Sequence, residues 1–291
     1  MKLFVYGDLE IDGIIKSQHL LAEQAWVQGL LLKEIDGNPI AVEDSCSLTY
    51  GSLYEFPAED VEKLILKMCD SENQHFPPVK QIVEVLTDNG SFEAVTFISH
   101  SCSGLASFST IPFGNWPVQQ LLQNSTCYYF AYGSCMDNER FYKHKVSHLF
   151  TSVLGRGILD EYRLAFSHHQ EDGGRADIIE SSGGKVEGVI YEIEKEAVNY
   201  LFKREGVYAG GYRPTAIEVE LHNGRRVTAL SFTVIDKKQE LVPPLHYAIE
   251  IHRGGSQYLG KDYVKSLESR FIHSFTIDGF NSYLEQVRKK D

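Results

Sequence analysis

Hydrophobic and polar positions along this 291-residue chain alternate in short runs, punctuated by glycine and by Asn-Gly pairs. Tyr129-Phe130-Ala131 is an apolar, aromatic run that enters a Tyr132-Gly133-Ser134 turn, and Leu3-Phe4-Val5 does the same ahead of Tyr6-Gly7. Asn89-Gly90 and Asn223-Gly224 each sit between alternating apolar runs, the strongest short-range signal of a β-hairpin. Gly51–Glu55 and Gly188–Glu192 read as strands entered through a glycine. Helical spacing is confined to Val61, Leu64, Ile65 and Met68, to Ala197, Val198 and Leu201, and to an amphipathic stretch around Tyr263–Phe271.

These landmarks recur in order. Tyr6 to Gly29 and Tyr132 to Gly155 each span 23 positions. Tyr54 to Glu72 is 18 and Tyr191 to Glu205 is 14; Glu72 to Asn89 is 17 and Glu205 to Asn223 is 18. A tandem duplication follows. It predicts a first domain over 1–105, a linker over 106–125 carrying Pro112, Gly114 and Pro117, and a second domain over 126–291. Short strands, Asn-Gly turns and few helices point to an α+β fold. Each domain is expected to be a small, mostly antiparallel β-barrel with flanking helices, rather than a parallel βαβ sheet.

Composition narrows the function. With 43% hydrophobic and 23% charged residues the chain is globular, and a formal charge of −12 argues against a nucleic-acid partner. No run approaches the roughly 18 apolar residues of a membrane span. The start lacks a signal-peptide pattern, and five cysteines with no CxxC spacing argue against a disulfide framework or zinc knuckle. A cytoplasmic location is the expectation, with the oligomeric state open.

The Tyr132–Ser134 turn aims backbone N–H groups at one point, where they can hold an anion or an oxyanion. Taken alone, it is equally an ordinary strand-to-helix turn. Cys135 lies where a helix N-terminus favours a thiolate, which makes it a candidate nucleophile or oxidation sensor, or else a small residue tolerated in the loop. His144 and His148 are four apart and can share a helix face, but no third ligand is evident and no metal site is expected. His168-His169 read as solvated loop residues before a Gly-Gly turn.

In three separated places the residues resemble the γ-glutamylcyclotransferase-like proteins and their plant-disease-associated relatives. Tyr129–Ser134 with Met136 resembles the family's Tyr-Phe-Ala-Tyr-Gly-Ser-Asn-Met loop. Leu201–Val207 followed by Tyr212 resembles its Leu-Asp-x-x-Glu-Gly-Val…Tyr segment, and Pro243–Tyr247 with Gly254 its Pro-Ser-x-x-Tyr…Gly-Ala segment. The two-domain layout is similar to that of a bacterial cytosolic member built from two copies. The resemblance implies intramolecular attack of a γ-glutamyl α-amine on its own side-chain carbonyl, releasing 5-oxoproline and an amine or amino acid with no cofactor. It also implies Glu205 as general base, Ala131, Tyr132, Gly133, Ser134 and Cys135 as the substrate-binding loop, and Tyr212 and Tyr247 as phenols that orient a small γ-glutamyl substrate. An ordinary glutamate titrates near ~4.3, too low for this task, and burial is what raises it.

Several positions depart from the family pattern. Cys135 stands for Asn, Phe202 for Asp, Pro244 for Ser, and in the first half Asp8 stands for Thr. Glu72 is kept, but His75-Phe76-Pro77-Pro78 follows it without the usual Tyr, so the first domain is expected to be degenerate. Two other readings stay open: a non-catalytic module binding a small ligand, and acyl transfer or redox sensing through the Cys135 thiol.

Overall fold

The computed structural model describes residues 1–7, 20–57, 60, 78–99 and 107–289. The chain divides into two compact units, Met1–Gln120 and Leu121–Asp291. In the first, β1 (Lys2–Val5), β2 (Leu20–Ile35), β3 (Asn38–Glu55), β4 (Val79–Thr87) and β5 (Gly90–Ile98) form a closed ring in the order β3-β1-β5-β4-β2. A two-residue β6 (Ser109–Thr110) hangs on β2. Phe4, Val27, Leu32, Leu53, Val85 and Trp116 pack in its core. The interval expected as a linker is thus partly built into this unit, since β6 joins its sheet and Ile111 and Trp116 its core. It ends in α1 (Trp116–Gln123).

The second unit repeats the plan. Strands β7 (Thr126–Ala131), β8 (Ser152–Gln170), β9 (Gly173–Glu194), β10 (Tyr212–Leu221) and β11 (Arg226–Val234) close in the order β10-β11-β7-β9-β8. Substituting β1–β5 for β7–β11 reproduces the first ring. Each barrel has one parallel pair, β1 with β5 and β7 with β11, and its other ring pairings are antiparallel. Helices α2 (Asn138–Lys143), α3 (Lys195–Arg204), α4 (Leu245–Tyr258), α5 (Lys261–Ser269) and α6 (Phe280–Arg288) belong to this unit.

The recurring glycines have physical reasons. Gly29 and Gly155 have φ of +94° and +97° and sit at register shifts of their hairpins, so each is a bulge position that L side chains avoid. The pattern predicts strands entered at Gly51 and Gly188; instead both glycines lie inside β3 and β9. A Cβ at Gly51 would stand 2.1 Å from the Val5 carbonyl oxygen, and one at Gly188 2.5 Å from that of Ala131. Only glycine lets the neighbouring strand approach so closely. Both expected hairpins form, through Asn89-Gly90 and Asn223-Gly224. The helical pattern at 61–68, together with Asp8, Glu72, Cys69 and Cys102, lies outside the described residues.

Candidate active site

Strand β7 delivers the Tyr-Gly-Ser loop. Its end is pinned by two bonds to the barrel: Tyr132 O–H donates to the Phe232 carbonyl at 2.5 Å, and Ser231 O–H donates to that of Phe130 at 3.0 Å. Ser134–Met136 then make a single 3₁₀ turn rather than the start of an α-helix. The N–H groups of Met136 and Asp137 close it onto the Gly133 and Ser134 carbonyls, leaving those of Ser134 and Cys135 outside the turn's own hydrogen bonds. Helix α4 clamps the loop from outside. A Cβ at Gly254 would lie 2.5 Å from the Met136 carbonyl carbon, so this glycine sets the approach. Arg253 of α4 forks onto the fully buried Asp137 at 3.1 and 2.5 Å, and Asp137 caps α2 through the Glu139 N–H.

Helix α3 delivers Glu205 from the other side. Glu205 is its C-cap, its N–H bonded to the Leu201 carbonyl at 2.8 Å. Gly206 follows with φ +61°, the left-handed step that stops a helix sharply. The Glu205 side chain is 17% exposed. Burial raises its pKa, while Arg204, Arg140 and a hydrogen bond from Cys135 pull the other way without cancelling the rise. Arg204 is the hub. Its Nε donates to Cys135 Sγ at 3.1 Å and pairs with Glu205 Oε1 at 3.2 Å, and its Nη2 donates to Ser134 Oγ at 3.1 Å. The Cys135 thiol faces Glu205 Oε1 at 3.7 Å.

Tyr129, Tyr132, Gly133, Ser134, Cys135, Glu205, Tyr212 and Tyr247 thus wall one cavity of about 40 Å³, which shares Ser134, Glu205, Tyr212 and Tyr247 with an outer cleft of about 490 Å³. Two of its phenols meet at one backbone unit. Tyr212 O–H donates to the Ala176 carbonyl at 2.8 Å, and the Tyr247 oxygen accepts the Ala176 N–H at 3.1 Å. Burial raises Tyr212 well above its ordinary value and Tyr247 to about 12, so both stay protonated at neutral pH. Ala131 is the one expected loop residue not on the cavity wall; it pairs with Val189 in the β7–β9 ladder.

Three further expectations are corrected. Cys135 sits in a buried three-residue turn, and burial pushes its thiol up against the opposing pull of Arg204, where a helix N-terminus was expected to favour the thiolate. His144 caps α2 while His148 falls in a separate 3₁₀ turn, so they share no helix face. No group of metal-ligating side chains occurs among the described residues. His168 is not a solvated loop residue but lies two residues before the end of β8 on the cleft wall, its ring 4.9 Å from that of Tyr212. Cys46, Cys127 and Cys135 are free thiols, and among the described residues no helix is long and apolar enough to cross a membrane.

Comparison with known proteins decides the family. A model of the AIG2-like family matches residues 185–267, which include Glu205, Tyr212 and Tyr247. A Bacillus subtilis protein, "Putative gamma-glutamylcyclotransferase YkqA", is 39% identical over 275 residues, covering 91% of this chain and 95% of its own. The chain belongs to the γ-glutamylcyclotransferase-like family. The crystal structure of YkqA matches with a TM-score of 0.80 at 37% identity, over 94% of this chain and 97% of that one. The gamma-glutamylcyclotransferase of Bos taurus is 35% identical over 122 residues, 40% of this chain and 62% of the bovine one.

Within this γ-glutamylcyclotransferase-like chain, sequence reasoning missed the parts taken by Arg204, Arg140 and Arg175. A basic residue in the last turn of a helix ordinarily reads as a complement to the helix dipole, so Arg204 carried no separate signal. Arg140 and Arg175 come from α2 and β9, and only the closed barrel brings them to one cleft with Glu205.

Proposed function

We propose that the second unit converts a γ-glutamyl compound into 5-oxoproline and a released amine or amino acid. The observation that carries this reading is the meeting of Glu205 with the Tyr132–Cys135 loop in one cavity wall, 70 residues apart in the chain. Nucleophile and electrophile belong to one substrate, so the site's task is to fold it into an attacking geometry, move a proton and hold charge. Glu205 takes the proton of the α-ammonium, and the freed amine nitrogen attacks the γ-carbonyl carbon. The attacking nitrogen gives up a second proton as the ring closes, the tetrahedral oxyanion collapses as the bond to the leaving nitrogen breaks, and that nitrogen takes up both protons, one of them returned by Glu205, to depart as an ammonium. No oxidant, metal or water is consumed.

The geometry supports complementary parts for the other residues. The Tyr212 proton is committed to the Ala176 carbonyl, so its oxygen accepts from the ammonium. The Tyr247 oxygen already accepts from the Ala176 N–H, so its proton donates to a substrate carboxylate or carbonyl. The Ser134 and Cys135 N–H groups face developing negative charge. A raised carboxyl pKa brings Glu205 nearer the operating pH of a general base. Its rival, the Cys135 thiol, is held protonated by burial and is a weak nucleophile at neutral pH. Incubating the full-length protein with γ-glutamyl amino acids and γ-glutamyl amines, and following 5-oxoproline, tests the reading. Release from at least part of the panel is expected. Measurable binding with no release would make the unit a ligand-binding module instead.

A further inference from the structure

The two barrels use one equivalent backbone unit in different ways. In each, the hydroxyl of the Tyr-Gly turn donates to a carbonyl, that of Phe97 on β5 or of Phe232 on β11. Two residues further on, the first barrel seals its own end. There the Ser99 N–H donates to the Ala41 carbonyl at 2.8 Å, and the Ala41 N–H donates to the Tyr6 oxygen at 3.3 Å. Both polar groups of Ala41 are thus taken up inside the barrel. In the second barrel the matching N–H, that of Val234, donates instead to the Asp177 carboxylate at 3.0 Å. Ala176, next to Asp177, keeps its carbonyl for Tyr212 and its N–H for Tyr247.

Asp177 is fully buried, and its contacts come from three strands. Oδ1 accepts from the Ile178 N–H of β9 at 2.9 Å as well as from Val234 of β11. Oδ2 accepts from the Ser167 hydroxyl of β8 at 2.7 Å and pairs with Lys237 Nζ at 3.5 Å. Lys237 also donates to the Ile178 carbonyl at 3.0 Å, so the lysine is tied to the same segment. A buried carboxylate is costly unless it is paired and hydrogen-bonded, and the first barrel closes this spot with a direct backbone bond. Side chains alternate along a strand: Ala176 lines the cavity, whereas Asp177 stands behind its wall.

We propose that Asp177 is a positioning residue that props the second barrel open at the site. By taking the Val234 N–H, it leaves the Ala176 peptide to Tyr212 and Tyr247 and so fixes which phenol accepts and which donates. The inference rests on the reaction proposed above only for the choice of ligand in its test.

Crystal structures and calorimetric binding of full-length variants test this. In Asp177→Ala the Val234 N–H is expected to move onto the Ala176 carbonyl and the cavity to close. Asp177→Asn keeps an accepting oxygen and is expected to keep the wild-type arrangement. Added to Glu205→Gln, Asp177→Ala should weaken binding of γ-glutamyl-alanine by roughly tenfold or more, and Asp177→Asn by less than about threefold. Asp177→Ser, whose shorter side chain withdraws from Val234, replaces Asp177→Ala if the melting curve shows that variant unfolded. An open cavity with unchanged binding in a folded shortened variant overturns the assignment. So does a loss of binding in Asp177→Asn as large as that in the shortened variant. Failure of both shortened variants to fold would make Asp177 a determinant of folding and overturn it as well. If γ-glutamyl-alanine binds none of the proteins, the reaction is rejected, and the Val234 bond in the crystal structures still decides whether Asp177 is the prop.

Discussion

The two Tyr-Gly turns of this chain share a scaffold and differ in what lies in front of it. Tyr6 O–H donates to the Phe97 carbonyl at 2.7 Å as Tyr132 O–H does to that of Phe232, and Thr96 bonds to the Phe4 carbonyl at 3.0 Å as Ser231 does to that of Phe130. Parallel pairing places Val95 beside Leu3 and Leu230 beside Tyr129, so these bonds occupy equivalent positions. The environments of the two glycines then diverge. A Cβ at Gly7 would meet the Pro39 ring at 2.6 Å, whereas one at Gly133 would meet Ala176 Cβ and the Tyr247 hydroxyl, each at 3.2 Å. A proline ring covers the first turn; an alanine and a phenol border a cavity at the second. Barrel closure is thus preserved separately from chemistry, because closure depends on backbone contacts and the site on side chains from later elements.

Substitutions at the shared scaffold are expected to act alike in both halves. Gly51→Ala and Gly188→Ala each drive a methyl into a carbonyl oxygen and should cost about 3 kcal/mol or more of stability. Denaturant unfolding measures this, and a tolerated alanine in one half alone would show that the close approach is not a common requirement. Substitutions at the site separate the halves. Arg204→Gln removes the charge that opposes the raised pKa of Glu205, so the acid limb of the kcat/KM profile for 5-oxoproline release moves to higher pH. Activity at pH 6 should fall by about tenfold and recover in part at pH 8. An unmoved limb with a uniform loss would make Arg204 merely structural.

Stability should report the same strain. The native pKa of Glu205 lies above its unfolded value, so its ionisation opposes folding: that contribution is favourable below the unfolded pKa and is lost as pH rises through the native one. Glutamine does not ionise. The melting temperature of Glu205→Gln should therefore gain on wild type from about pH 4 upward, by a few °C. A gain that shrinks with rising pH would reverse the sign assigned here. The smallest effect is expected for Cys135→Ala, whose 3.7 Å contact to Glu205 is weak; turnover should stay within about fivefold. Loss of all activity would restore the thiol as nucleophile.

Much of the fold was legible because its determinants are local. Asn-Gly turns, aromatic runs and two glycine spacings follow from backbone geometry, and the repeat made each half a check on the other. The limits were equally physical. Gly51 and Gly188 read as strand starts along the sequence because the contact each makes with a neighbouring strand leaves no mark on its own strand. Tyr212 and Tyr247 stood out through resemblance, but how their phenols were committed depended on Ala176, which no pattern singled out. The cleft arginines were unreadable because each belongs to a different element and each looks, in sequence, like a solvated charge.

The claim that chemistry resides in the second unit alone is tested most directly by 5-oxoproline release from full-length Glu205→Gln and Glu72→Gln beside wild type. Glu205→Gln is expected to lose turnover by about a thousandfold, within the range for removing a general base, while Glu72→Gln keeps most of it. Persistent release in a folded Glu205→Gln variant, or its loss in Glu72→Gln, would contradict the assignment.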